Sequence, residues 1–228
     1  VTYCAEMIRS VPHWPLFRLR EDAGFSFTAD ELAAHLTERT KLIILCSPSN
    51  PTGGVLSREN LRDIASVIRD RCRPDVRIYA DEIYEHILFD GQKHHSIFSE
   101  EGMPERTVLV SGHSKGFAMT GWRLGFAILP TAEEAACFKQ LNINLVSCVP
   151  PFIQEGGRVA LDSEESAEQV HEMVSAFQGR RDRVVAMPPA DRAATRAPLS
   201  DSSMSVTVNV TPQCAMGKRK SRTILKCH

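Results

Sequence analysis

Apolar positions in this chain follow two rhythms, and the change between them marks the elements. Leu61, Ile64, Ala65 and Ile68 recur at i, i+3, i+4 and i+7, one face of a helix that Ser57 can cap. Short apolar runs at Leu42–Cys46, 76–80, 107–110 and 124–129 read instead as strands, the first expected to be buried on both faces. Earlier, residues 22–27 are turn-like, and Thr28-x-x-Glu31 forms a capping box ahead of Leu32 and Leu36. Strand, helix, strand at this length makes a βαβ unit with parallel strands. The run at 124–129 follows the preceding strand too closely for a parallel crossover and is expected antiparallel. The fold class is therefore α/β, a three-layer arrangement around a mostly parallel sheet with one antiparallel strand.

Helices dominate the next stretch. Residues 131–141 carry Glu133 and Glu134 in a first turn, where carboxylates favour the helix dipole. Pro150-Pro151 opens a helix to residue 161. Asp162-x-x-Glu165 is expected to cap a long amphipathic helix, with Val170, Met173, Val174, Phe177 and Val184 on one side and Arg180, Arg181 and Arg183 on the other. After Met187 no period is sustained: residues 204–210 alternate weakly like a strand, and Lys218, Arg219, Lys220 and Arg222 form a basic cluster best read as a solvated tail. No internal repeat is visible.

Composition changes this picture little. The chain has 228 residues, 43% of them hydrophobic, and a net charge of −1, which gives no pull toward nucleic acid or anionic membrane. The longest aliphatic run, residues 42–45, is far short of a membrane span. Seven cysteines lie scattered without a CxxC pair, which suits reduced cytoplasmic thiols better than disulfides or zinc. His94-His95 lacks ligand-type neighbours at metal spacing and reads as surface loop. The chain begins at Val1 with no signal peptide in view.

The candidate chemistry sits just after three strands, at Asn50, Asp81 and Lys115. In an open parallel sheet ligands bind beyond the carboxyl ends of the strands, so these residues converge on one edge. Lys115 lies among small residues, in Ser111-Gly112-His113-Ser114-Lys115-Gly116. A solvent-facing lysine needs no such setting, whereas one that attacks a carbonyl works best partly desolvated. Gly and Ser let a phosphate approach the backbone, and Arg123 can close on it with two hydrogen bonds. Taken singly, each residue has a plainer reading. Asn50 fits a turn starter, Asp81 a helix cap, Tyr84 ordinary core and Arg123 a surface ion pair. Ser111 and Ser114 are weaker phosphate candidates, because such hydroxyls often bond their own backbone.

Three motifs in order carry a resemblance: Ser47-Pro48-Ser49-Asn50-Pro51-Thr52-Gly53, Asp81-x-x-Tyr84, and Ser114-Lys115 with Arg123. Together they resemble the class I/II aminotransferases, the fold type I enzymes that use pyridoxal 5'-phosphate (PLP), over about residues 24–186. The resemblance implies Lys115 as the Schiff-base lysine and proton carrier. It sets Asp81 against the cofactor's ring nitrogen, Tyr84 and Asn50 against its phenolic oxygen, and Arg123, Ser111 and Ser114 near its phosphate. It implies transamination between an L-amino acid and a 2-oxo acid, leaning toward the aspartate and aromatic branch, in a homodimer with two active sites at the interface. A PLP-dependent lyase and a non-catalytic PLP-binding sensor domain of a transcription regulator remain open.

Residues 1–161 then form part of the PLP-binding large domain, 162–186 a helix leading to the small domain, and 187–228 a divergent tail expected to be disordered. The chain looks truncated, and weak or inactive alone. No glycine loop for the phosphate and no ring-stacking aromatic is found before Asn50, and no arginine for the substrate carboxylate is assignable after Met187. A shifted reading frame or a mis-joined gene model would account for the divergent tail. His113 stands where the family has an apolar or small residue; its ring either perturbs the lysine site or points away from it.

Overall fold

The computed structural model describes residues 19 and 21–187. Four strands form one sheet in sequence order: β1 (Leu42–Cys46), β2 (Arg77–Asp81), β3 (Thr107–Gly112) and β4 (Gly125–Ile128). β1, β2 and β3 are parallel, and β4 runs antiparallel to β3. The polarity of every pair matches the sequence expectation. The register aligns Cys46 with Asp81 and Asp81 with Val110, so the carboxyl ends of the parallel strands share an edge.

Helix α1 (Ala29–Ala33) precedes β1, α2 (Arg58–Arg71) joins β1 to β2, and α3 (Ala132–Val146), α4 (Pro151–Asp162) and α5 (Glu164–Ala186) follow β4. The capping box of α1 forms as expected: the Thr28 backbone N–H donates to Glu31 Oε2 at 2.8 Å, and Glu31 N–H donates to Thr28 Oγ1 at 3.2 Å. α1 ends after five residues, so Leu36 packs on the core from the following turn. Ser57 caps α2 by accepting from Asn60 N–H.

The core lies between α2 and one face of the sheet. Leu61, Ile64, Ala65 and Ile68 of α2 pack with Ile43, Leu45, Ile78 and Ala80, and Leu56, Val76, Ile97 and Met103 close the edges. Fully burying each of the Val, Leu, Ile and Met side chains among them stabilises by about 1.5–3 kcal/mol. The alternation along β1 and β2 follows from this: residues pointing toward α2 are buried. Leu42 and Ile44, on the other face of β1, are 44% and 46% exposed. The expectation that β1 is buried on both faces therefore does not hold among the described residues, because α2 covers one face only.

Other boundaries move for local reasons. β2 starts one residue later than expected, with Val76 packed just before it. β3 extends two residues beyond the expected end, through Ser111 and Gly112, where Gly112 runs beside Gly125 of β4. A Cβ at Gly112 would stand 2.7 Å from Gly125 Cα, so the strands can pair here only without a side chain. α3 continues five residues past 141, and α5 is capped by Ser163, which accepts from Ser166 N–H, rather than by Asp162. α5 is tied to the loop after β2, since Arg181 forms an ion pair with Asp90, and Gln178 Oε1 accepts from Asp90 N–H at 2.9 Å. The expected alternation at 204–210 and the basic cluster at 218–222 lie outside the described residues. Among the described residues, no helix is long and apolar enough to cross a membrane.

Candidate active site

The loop after β1 is fixed by its own hydrogen bonds. Ser47 N–H donates to Asp81 O, Ser49 N–H to Gly54 O, and Gly53 N–H to Ser49 O at 2.7 Å. Leu56 N–H donates to Ser47 Oγ at 3.0 Å. Gly53 has φ +73°, a conformation that favours glycine. A Cβ at Gly54 would meet Phe25 O at 2.7 Å, so only glycine fits that approach. The loop thus presents Asn50 at the sheet edge, where its Nδ2 donates to Tyr84 Oη at 2.8 Å.

Tyr84 follows β2 by three residues and meets the third segment. The Lys115 ammonium lies 5.6 Å from the centroid of the Tyr84 ring, a cation–π contact. Asn50, Tyr84 and Lys115 therefore form a continuous chain of contacts across the ends of three parallel strands. Asp81, the last residue of β2, begins the same segment. Its Oδ1 accepts from Ile83 N–H at 3.2 Å. Burial pushes the Asp81 carboxyl above the ordinary carboxylate range, the Ile83 bond opposes this, and the neighbouring Glu82 charge adds to it. Among the described residues no cation pairs with Asp81.

The remaining predicted residues are placed differently. Ser114 is half-buried, and its carbonyl accepts from Thr120 Oγ1 at 2.9 Å. Arg123 is exposed, adopts the left-handed conformation with φ +53°, and donates from Nη1 to Thr120 O at 2.9 Å. Ser111 sits at the carboxyl end of β3 but on the other face of the sheet from Asp81. Within β3 it alternates with Val110, the register partner of Asp81, and so faces the opposite side. It is 3% exposed, and its hydroxyl donates to Glu85 Oε1 at 2.6 Å.

A polar cluster behind Asp81 was not anticipated. Glu82 is buried, accepting from Ser96 Oγ at 2.6 Å and from His94 Nε2 at 2.8 Å. His94 is thus no surface-loop residue: its side chain is 16% exposed and serves a buried carboxylate. Glu82, Glu85 and His94 bring a ligand-type atom each within 4.8 Å of one another. Bonds from Ser96, Ser111 and His94 already engage these carboxylates, which is how two of them are held so close. The one sequence signal was position, since the residue after Asp81 must turn back toward the core side of the sheet.

His113 is likewise resolved. Its ring is 4% exposed, packs against Phe117 and Phe126, and hydrogen-bonds Gly157 O at 3.1 Å. It points into α4.

The mixed sheet gathers three strand-end loops at one edge, and comparison with known proteins identifies the family. The family model for aminotransferase class I and II matches residues 8–196, and the chain belongs to that family. The match runs past both ends of the 24–186 resemblance. Over 163 residues the chain is 42% identical to an aspartate aminotransferase of Pyrococcus abyssi, covering 71% of this chain and 40% of that protein. It is 40% identical over 166 residues to aromatic-amino-acid aminotransferase 2 of Thermococcus litoralis, covering 72% and 41%.

Among solved structures, an aspartate aminotransferase from Rhizobium meliloti superposes with a TM-score of 0.70 at 35% identity, covering 75% of this chain and 42% of that one. An aromatic aminotransferase from Pyrococcus horikoshii gives 0.68 at 38% identity, covering 72% and 43%. The chain spans about two-fifths of the length of the curated relatives it matches.

Proposed function

We propose that this chain is the cofactor-holding part of a PLP-dependent aminotransferase, with Lys115 as the amine that holds the cofactor by its aldehyde. The observation that carries this is the contact chain Asn50–Tyr84–Lys115, with Asp81 opening the same segment. The residues fit the group. A partly desolvated carboxylate with no described cation beside it suits a protonated ring nitrogen, and the cation in turn removes the cost of burying Asp81 charged. When bound, the cofactor supplies an electron sink for charge developing at the substrate Cα.

The chain's own groups do the rest. Asp81 holds a proton on the ring nitrogen through a charge-assisted hydrogen bond. Tyr84 Oη, already accepting from Asn50 Nδ2, offers its own proton to the cofactor's phenolic oxygen, so the Asn50 bond sets which way that proton points. Lys115 Nζ would be the group that takes a proton from the substrate Cα and delivers one to the cofactor's C4′ carbon. Gly112 and Gly116 keep backbone around the lysine bare of side chains, and Ser114 and Arg123 border it as the phosphate candidates. Arg123 spends one of its five N–H donors on Thr120 O and would meet a phosphate with the others.

The substrates of this reading are an L-amino acid, leaning to aspartate or an aromatic one, and a 2-oxo acid. Residues 1–161 belong to the large domain and α5 leads on to the small one. Free Cys46, Cys72, Cys137 and Cys148 support a reducing, cytoplasmic setting. Exposed Leu42, Ile44, Trp122, Phe126 and Phe152 are apolar surface that further chain or a second copy would cover, which supports a homodimer of the longer form. The test is to load a form spanning the family's full length with PLP and supply amino and oxo acids in turn. Conversion of each into its partner supports the reading. Release of ammonia and pyruvate indicates a lyase, and binding without turnover a sensor module.

A further inference from the structure

We propose that His113 is a positioning residue for Lys115, tying the lysine turn to α4 through the Gly157 carbonyl; this rests on the reading of Lys115 as the cofactor amine. The carbonyl can only accept, so His113 Nε2 carries the proton. That leaves Nδ1 as an acceptor, buried and, among the described residues, without a partner. A phenylalanine would pack equally on Phe117 and Phe126, at 5.3 Å and 6.4 Å between ring centroids, and leave no orphan nitrogen. What the imidazole alone adds is the bond to α4.

The helix is shaped to receive it. A Cβ at Gly157 would lie 2.2 Å from Leu124 Cδ2 and 3.1 Å from His113 Nε2, and one at Gly156 would lie 2.6 Å from the Trp122 ring. Two adjacent glycines thus open the α4 backbone to side chains on both sides of the lysine segment. Beyond Lys115 the turn is held by the other strand-end loop. Phe117 meets the His86 ring edge-on at 5.0 Å, and a Cβ at Gly116 would stand 2.6 Å from His86 Cδ2. His86 sits two residues past Tyr84. The turn 113–117 is therefore clamped between α4 and the Tyr84 segment, with Lys115 at its middle.

Three substitutions in the PLP-loaded, full-length form separate the bond from the packing. In His113→Gln the amide nitrogen can occupy the Nε2 position. In His113→Asn it falls short at the Nδ1 position, and His113→Phe keeps the packing without a donor. Visible circular dichroism of the bound cofactor and its release rate are followed beside Tm and the separate kcat and KM. The expected result is wild-type dichroism and release for Gln. Asn and Phe should release roughly tenfold faster, the equivalent of one lost hydrogen bond, with altered dichroism and kcat falling more than KM rises. Unchanged dichroism and release in His113→Phe, or release that follows Tm alone across the three, overturns the proposal. Borohydride reduction that fails to label Lys115 in the wild-type protein sinks the underlying reading instead.

Discussion

Asn50 Nδ2 donates to Tyr84 Oη at 2.8 Å, joining residues 34 apart in sequence at the ends of two parallel strands. On the proposed function, the bond makes the two residues act as one unit. Asn50→Ala and Tyr84→Phe should each lower kcat/KM of the full-length form by about 10- to 100-fold, the range of a functional hydrogen bond. The double variant should cost little more than the worse single one. Steady-state kinetics on the four-member cycle checks this, and additive losses would mean that the residues act separately.

Asp81 is partly buried at some expense to stability. Its folded-state proton affinity is raised by burial, so between the unfolded and folded titrations the native state binds more protons, and stability falls as pH rises through that window. Asp81→Asn removes that penalty. Without cofactor the variant should match or exceed the wild-type Tm at neutral pH, and with cofactor lose about 10²–10³-fold in kcat. Thermal melts from pH 4 to 8 should show the wild type approaching the variant on the acid side. A variant Tm well below wild type at neutral pH would contradict this.

The Arg181–Asp90 pair fastens α5 to the loop after β2, with the Arg181 guanidinium 5.0 Å from the Phe89 ring centroid. The Arg181 hydrogen bond holds the Asp90 carboxyl below the usual carboxylate range. Its stabilisation is therefore present above the ordinary aspartate titration and is lost as pH falls through the lowered one. Asp90 is half-exposed, so solvent screening limits Asp90→Asn to about 1 kcal/mol or less at neutral pH. Arg181→Ala should cost more, since packing on Phe89 goes too. Urea denaturation at pH 7 and pH 3 distinguishes these effects.

Gly112→Ala would force a Cβ to 2.7 Å from Gly125 Cα, backbone against backbone. Overpacking of this kind costs about 1–3 kcal/mol. Strand β4 should loosen first, seen as faster amide exchange in 125–128 than in β1 and β2. Uniform protection in the variant would show that the pair tolerates a side chain.

How much of this was legible in the sequence follows from which residues report on themselves. The α2 spacing names its buried face because helix geometry alone decides it, and β4 had to be antiparallel because a short link excludes a crossover. The side on which Ser111 faces was hidden for a related reason. Ending β3 at Val110 treats Ser111 as loop, but two further paired residues keep it in strict alternation and turn its hydroxyl to Glu85. His94 was misread because its partner, Glu82, is buried by tertiary packing that local sequence does not encode. The Asn50–Tyr84–Lys115 chain was legible only as a convergence of strand ends. The hydrogen bond and the cation–π contact within it depend on side-chain reach across the sheet edge.

The most direct measurement is the site of covalent attachment. PLP-loaded, full-length protein is reduced with borohydride, digested and mapped by mass spectrometry, with Lys115→Ala as control. The pyridoxyl mass should appear on the peptide containing Lys115 and vanish in the control. A label on another lysine, or none on a protein that still interconverts amino and oxo acids, would contradict the account.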